Sequence, residues 1–244
     1  MADNGVNVGV VVALTFTINF GYYVLNRCLS ENSMYSALEF HRKRYVIKNI
    51  LKAGYLTIAS LYVTWMMIIF VSTGIWSTYY IRNLGIVYML PDLISLIRVP
   101  KLDRFTVQHH VSVVVLSLLN LFCDYSKDVY WRGMVVYAYM SMLTGVVNFY
   151  LGYRLLTKCE VTKRKVANFA FWNYLASIVM NWSYQVWILW SWLPTTFPLW
   201  GLYMYATIMY FVVKDDIILL SFLQHNRHFR ENRETCKTLE VAAT

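Results

Sequence analysis

Apolar residues run along the chain in long unbroken blocks separated by short charged stretches, without the alternation of a half-buried strand. Seven blocks approach the ~20 residues that a helix needs to cross a bilayer, at 7–28, 53–76, 84–99, 105–123, 131–152, 168–193 and 198–223. The pattern predicts an all-α, polytopic membrane protein with seven transmembrane helices. The third block is short and holds Pro91, which should bend it, and a neighbouring helix must then satisfy the carbonyl that proline frees.

Polar residues inside the blocks are spaced by three and four. The sixth block carries Asn173, Ser177, Asn181 and Gln185; the fifth carries Ser141, Thr144 and Asn148; the seventh carries Tyr203, Thr207, Tyr210 and Lys214. Such spacing puts each set on one helix face, and a polar face is costly against lipid, so all three should turn inward. Two uses remain open for them, hydrogen bonding between helices and the lining of a polar cavity. Trp76, Tyr79, Tyr80, Tyr130, Trp131, Trp190, Trp192 and Trp200 fall near block ends, as an interfacial aromatic belt would.

Charge adds an orientation. Eighteen Lys and Arg fall in the first, third and fifth connections and the tail, against three in the other connections. The basic side is the cytosolic one, so the amino terminus is expected in the lumen or outside and the tail in the cytosol. Residues 30–50 form the longest connection and are expected to include an interfacial helix.

Composition agrees: 58% hydrophobic, 17% aromatic and only 14% charged residues are too apolar for an ordinary soluble domain. A net charge of +9 raises nucleic acid as a partner, but the basic residues are dispersed among the connections, so no nucleic-acid partner is expected. No cleavable signal peptide is expected, since no basic region precedes the first block. The cysteines, Cys28, Cys123, Cys159 and Cys236, show neither metal-ligand spacing nor obvious pairing, and no metal or other cofactor is expected.

The chemistry concentrates between Tyr88 and Asn120. Asp92 lies ~9 Å above the cytosolic end of its helix, and His109 and His110 lie ~7 Å into the next one. Antiparallel neighbours at matching depth allow the carboxylate to pair with an imidazole, fixing its tautomer and raising its basicity. One histidine is then a candidate general base or nucleophile, and the other a candidate to orient a substrate carbonyl. The plainer reading is two interfacial histidines. A second charged cluster, Lys214, Asp215 and Asp216, reads either as a structural ion pair or as a group that handles substrate or protons.

The Asp on one helix, the charged turn, and the run KLDRFTVQHH that opens the next helix resemble the TLC-domain family, which contains the ceramide synthases. The resemblance implies a six-helix bundle around a cavity (40–224), preceded by an N-terminal helix and the start of a cytosolic connection (1–39) and followed by a basic tail (225–244). It implies transfer of a fatty acyl group from acyl-CoA to a sphingoid base or another lipid acceptor in the endoplasmic reticulum. His109 and His110 match the family's His pair, Asp92 resembles the acidic residue of the preceding helix, and Asp103 lies near the acidic residue before the pair. The fifth block departs from the synthases in having no acidic residue. The catalytic candidates are therefore His109, His110 and Asp92. The substrate-binding candidates are Asp103, Ser141, Thr144, Asn148, Asn173, Ser177, Asn181, Gln185, Lys214 and Asp215. The expected partners are membrane lipids and acyl-CoA, and a homodimer is compatible with this reading. A non-enzymatic lipid-binding protein is the alternative, and a retinal protein using Lys214 a lesser one.

Overall fold

The computed structural model describes residues 5–127, 131–192 and 199–228, and every regular element in these segments is helical. In chain order they are α1 (Val8–Leu29), α2 (Ser33–Ser36), α3 (Phe40–Thr73), α4 (Thr78–Arg98), α5 (Arg104–Leu119), a 3-10 turn (Asn120–Phe122), α6 (Arg132–Leu143), α7 (Gly145–Tyr153), α8 (Glu160–Trp192) and α9 (Leu199–His228). Among the described residues, five segments are long and apolar enough to cross a membrane: α1, α3, α4, α5 with its 3-10 turn, and α6 with α7. The chain is a multi-pass membrane protein. At 33 and 30 residues α8 and α9 also have the length, but they are not among these five, and α9 carries three charges together at Lys214, Asp215 and Asp216.

Two boundaries differ from the sequence expectation. The connection at 30–50 is not a separate interfacial helix; after the single turn of α2, the chain enters α3 at Phe40. Lys48 and Lys52, which read as the charges ending a block, are buried at 4% and 6% exposure, so the helix runs straight through them. The block at 131–152 is broken at Thr144 (φ −89°, ψ 19°), where both the backbone N–H and the hydroxyl of Thr144 donate to Ser141 O. A threonine hydroxyl that bonds its own helix competes with the backbone ladder.

Helix α3 is the central strut. Its outer face, with Ile58, Leu61, Trp65 and Ile68 each more than half exposed, suits contact with lipid. Its inner face receives α7 at close range. A Cβ on Gly145 would lie 3.1 Å from Ala53 O, and one on Gly152 would lie 3.1 Å from Val46 O, so any larger residue would push the two backbones apart by a few tenths of an ångström. The remaining helices pair off: α5 packs chiefly on α4, and α9 on α8.

Helix α4 continues through Pro91. The carbonyl that proline leaves free is that of Val87, four residues back. Tyr55 of α3 donates its hydroxyl to Val87 O at 2.7 Å, and the Ser95 hydroxyl donates to Pro91 O at 2.6 Å. The proline segment is thus fastened to α3, which sets the height of Asp92.

The aromatic belt is only partial. Trp76 and Trp131 are buried; Trp76 stacks on Phe70 beneath the Arg132 guanidinium, whereas Trp190 is 81% exposed. Tyr130, the side chains of Trp192 and Trp200, and the tail beyond residue 228 with Cys236 lie outside the described residues.

Candidate functional site

Asp92 is fully buried and meets two cationic or polar partners at one oxygen. Lys52 Nζ lies 2.5 Å from Asp92 Oδ1, and His110 Nδ1 lies 2.7 Å from the same atom. On the far side of the ring, Lys48 Nζ is 3.1 Å from His110 Nε2. An ammonium can only donate, so Nε2 accepts and the imidazole proton belongs on Nδ1, facing Asp92. That approach is close but off the hydrogen-bond axis, and Asp92 Oδ2 and His110 Nδ1 remain without an aligned hydrogen-bond partner. The result is a continuous buried chain, Lys52–Asp92–His110–Lys48, which leaves α3, crosses α4 and α5, and returns to α3 one turn earlier. Buried charges survive only when paired in this way, and removing one member strands the others.

His109 is placed differently. Its Nδ1 lies 2.8 Å from Asp215 Oδ2 of α9, with side-chain exposures of 27% and 33%. No other described residue engages His109 Nε2. The two imidazoles stand edge to face, 5.5 Å apart, as adjacent residues on a helix must when they project about 100° apart. The expected pairing of a carboxylate with an imidazole therefore occurs twice, with Asp92 holding His110 and Asp215 holding His109.

Two cavities meet at the second pair. One, of about 330 Å³, is the more polar of the two and is lined by Lys48, Lys52, His110, Ser141, Asn148 and Arg154 among others. The other, of about 420 Å³, is a mainly apolar cleft between α5 and α9. His109 and Asp215 line both. The weak packing of α5 on α9 leaves the cleft open, and His109–Asp215 is the ion pair that joins these two helices.

The other sequence candidates fall into three groups. Ser141, Thr144 and Asn148 line the polar cavity, as does Asp103. Asp103 also caps α5, accepting from the Thr106 N–H at 3.0 Å and the Thr106 hydroxyl at 2.5 Å. Burial pushes its carboxyl up, but the Thr106 hydroxyl and amide outweigh it, so the group sits below the usual carboxylate range. Asn173, Ser177, Asn181 and Gln185 line neither cavity. The last three are buried, and Gln185 ties three helices together: its amide donates to Gly133 O and Asn181 Oδ1, each at 2.9 Å, and it accepts from the Tyr205 hydroxyl. Gln185 thus bonds between helices, Asn181 supports it from one turn earlier on α8, and Asn173 Oδ1 is buried without a hydrogen-bond partner.

Lys214 requires a further correction. No described carboxylate lies within 4.0 Å of its ammonium, so the expected ion pair with Asp215 or Asp216 does not form. Consecutive side chains on a helix diverge: Lys214 faces the apolar cleft, Asp215 faces His109, and Asp216 turns inward to accept from Tyr174 Oη at 2.7 Å and Trp182 Nε1 at 2.9 Å. Asp92, the counterion that a retinal site on Lys214 would need, is engaged by Lys52 and His110.

The chain matches no family model, no curated protein and no solved structure. The site therefore has to be read from its own groups. Asp92, His109 and His110 bring donor atoms within 4.8 Å of one another, a set that can hold a metal ion. Here Lys52 and Lys48 already place ammonium groups on Asp92 Oδ1 and His110 Nε2, so the positive charge a metal would supply is in place.

Sequence reasoning missed Lys48 and Lys52, which it assigned to a cytosolic connection. A signal was present: Tyr45, Lys48, Asn49 and Lys52 recur at three- and four-residue spacing and continue one face of the following block. All four line the polar cavity. The inward partners of Asp216, Tyr174 and Trp182, carried no comparable signal, since aromatic residues are common throughout the chain.

Proposed function

We propose that this protein is a TLC-like integral membrane acyltransferase of the endoplasmic reticulum, with seven helices, a lumenal amino terminus and a cytosolic tail. It moves a fatty acyl group from acyl-CoA to the amine or hydroxyl of a lipid such as a sphingoid base. The observation that carries this reading is the His109–Asp215 pair where a polar cavity and an apolar cleft meet. An amphiphilic substrate needs both environments at its reacting bond. A histidine whose Nδ1–H is held by a carboxylate presents Nε2 as a general base. His109 Nε2 takes the proton from the acceptor as its lone pair attacks the thioester carbonyl. The carbon–sulfur bond breaks, and the departing thiolate recovers that proton. His110, with Asp92 close to one ring nitrogen and Lys48 on the other, is the support of the site and not its base.

The test is the conversion of labelled palmitoyl-CoA and sphingosine to N-acyl product by the protein reconstituted in lipid vesicles. His109→Ala should lose roughly 10²–10⁴ of the rate, the usual contribution of a general base, without loss of fold. Undiminished product from that variant rejects the role.

A non-enzymatic lipid-binding protein is the second reading. It is favoured by the charged groups close to both His110 nitrogens and by the absence of any acidic residue from α6 and α7. Stable lipid binding by wild type with no turnover in the same assay would select it.

A further inference from the structure

We infer that the cleft between α5 and α9 is a binding site for a long-chain fatty acid anion, whose carboxylate pairs with Lys214. The inference rests on α9 crossing the bilayer, as proposed above, but not on acyl transfer. Lys214 stands near the centre of the 30-residue α9, ~21 Å from either end. With α9 in the membrane, that is close to the bilayer midplane, where an ammonium must pair or reach a polar cavity. Lys214 does neither through the protein. It is exposed, it lines the apolar cleft, and it has no described carboxylate within 4.0 Å. Its two acidic neighbours are already committed, Asp215 to His109 and Asp216 to Tyr174 and Trp182.

The surroundings of the ammonium define the ligand. The cleft holds about 420 Å³, and its walls are dominated by residues such as Val115, Leu116, Leu119, Ile208 and Phe211. That is within the ordinary size range of small-molecule sites, roughly 300–1,000 Å³, and the surface suits an alkyl chain. Because α5 is held by α4 and α9 by α8, a chain can enter from the bilayer between the two pairs without breaking a packed interface. The anion should carry a single charge: Asp215 lines the same cleft beside Lys214, and its carboxylate opposes a doubly charged phosphate more than a carboxylate. Ser112 and Gln108 on the facing wall add a hydroxyl and an amide to the lining of the same cleft.

The experiment is equilibrium binding of radiolabelled palmitic acid to the purified full chain in detergent, with hexadecanol and hexadecyl phosphate as competitors. Saturable palmitate binding is expected. Lys214→Met should weaken it by about tenfold or more, the loss of one charged hydrogen-bonded contact, while Lys214→Arg should retain it. Thr207→Trp, which fills the cleft away from the charge, should abolish binding, with thermal unfolding verifying that each variant is folded. Equal affinity of wild type and Lys214→Met overturns the assignment, as does competition by hexadecanol equal to that of unlabelled palmitate. Tighter binding of hexadecyl phosphate than of palmitate overturns the choice of a carboxylate. Acyl transfer does not enter the readout, so failure here leaves the proposed activity standing, and failure of that activity leaves this binding site standing.

Discussion

Tyr55 of α3 donates its hydroxyl, at 2.7 Å, to the one carbonyl of α4 that Pro91 leaves without its helical partner, that of Val87. The bond replaces a lost rung and fixes α4 on α3 five residues before Asp92. Tyr55→Phe should therefore cost about 1 kcal/mol, the usual net worth of a hydrogen bond, read as a lower melting temperature in detergent. Pro91→Ala restores a backbone N–H at that position, so in the Tyr55→Phe background it should recover part of the loss. A double variant no more stable than Tyr55→Phe alone would show that the hydroxyl does not substitute for the helical bond.

Lys52 neutralises a fully buried carboxylate, so its loss should be among the most damaging single changes. Lys52→Met leaves Asp92 charged with only His110 beside it, and breaking a buried pair costs roughly 3–5 kcal/mol. Asp92→Asn added to Lys52→Met should recover part of that stability, because the charge is gone while an acceptor remains. Thermal unfolding of the four proteins in the cycle measures the coupling, and additive losses would mean that the two side chains act independently.

Neighbouring aspartates on α9 should separate activity from stability. Asp215 is partly exposed and orients His109, whereas Asp216 is buried beneath two donors. Asp215→Asn should lower acyl transfer by about 10²-fold or more with little change in melting temperature. Asp216→Asn should lower the melting temperature, since the Tyr174 hydroxyl and the Trp182 N–H lose a charged acceptor. The opposite assignment of effects would remove His109–Asp215 from the catalytic role.

The connection between the 3-10 turn and α6 carries a pH dependence of known sign. Asp124 accepts from the Ser126 hydroxyl at 2.6 Å and the Thr78 hydroxyl at 3.0 Å, which hold its carboxyl down at about 2. An unfolded chain titrates this group at about 3.9. Its contribution to stability is therefore complete above about pH 4 and is lost as the pH falls through the folded value. The gap in melting temperature between wild type and Asp124→Asn should be constant at neutral pH and close on acidification towards the folded value. A gap unchanged across that window would mean that the carboxylate charge contributes nothing there.

The hydrophobic pattern alone located the five membrane-spanning segments, though not the start of α3 at Phe40 or the break at Thr144, because crossing a bilayer imposes a length and a composition that can be read residue by residue. Pro91, Asp92 and the two histidines were likewise legible, since each is an exception to an apolar run. The sequence could also state that a carboxylate and an imidazole should meet, as both lie at similar depth on successive helices. It could not state which. That choice depends on the rotation of each helix about its own axis and on the distance between helices, which are set by contacts remote in sequence. Gly145 and Gly152 draw α7 onto α3, and Tyr55 fastens α4 to the same helix. With α3 so placed, Lys48 and Lys52 turn inward to Asp92 and His110, and two charges that resembled the end of a membrane span become its buried core. The same rotation on α9 sends Lys214, Asp215 and Asp216 to a cleft, a histidine and a tyrosine, three fates for adjacent residues that only packing could decide.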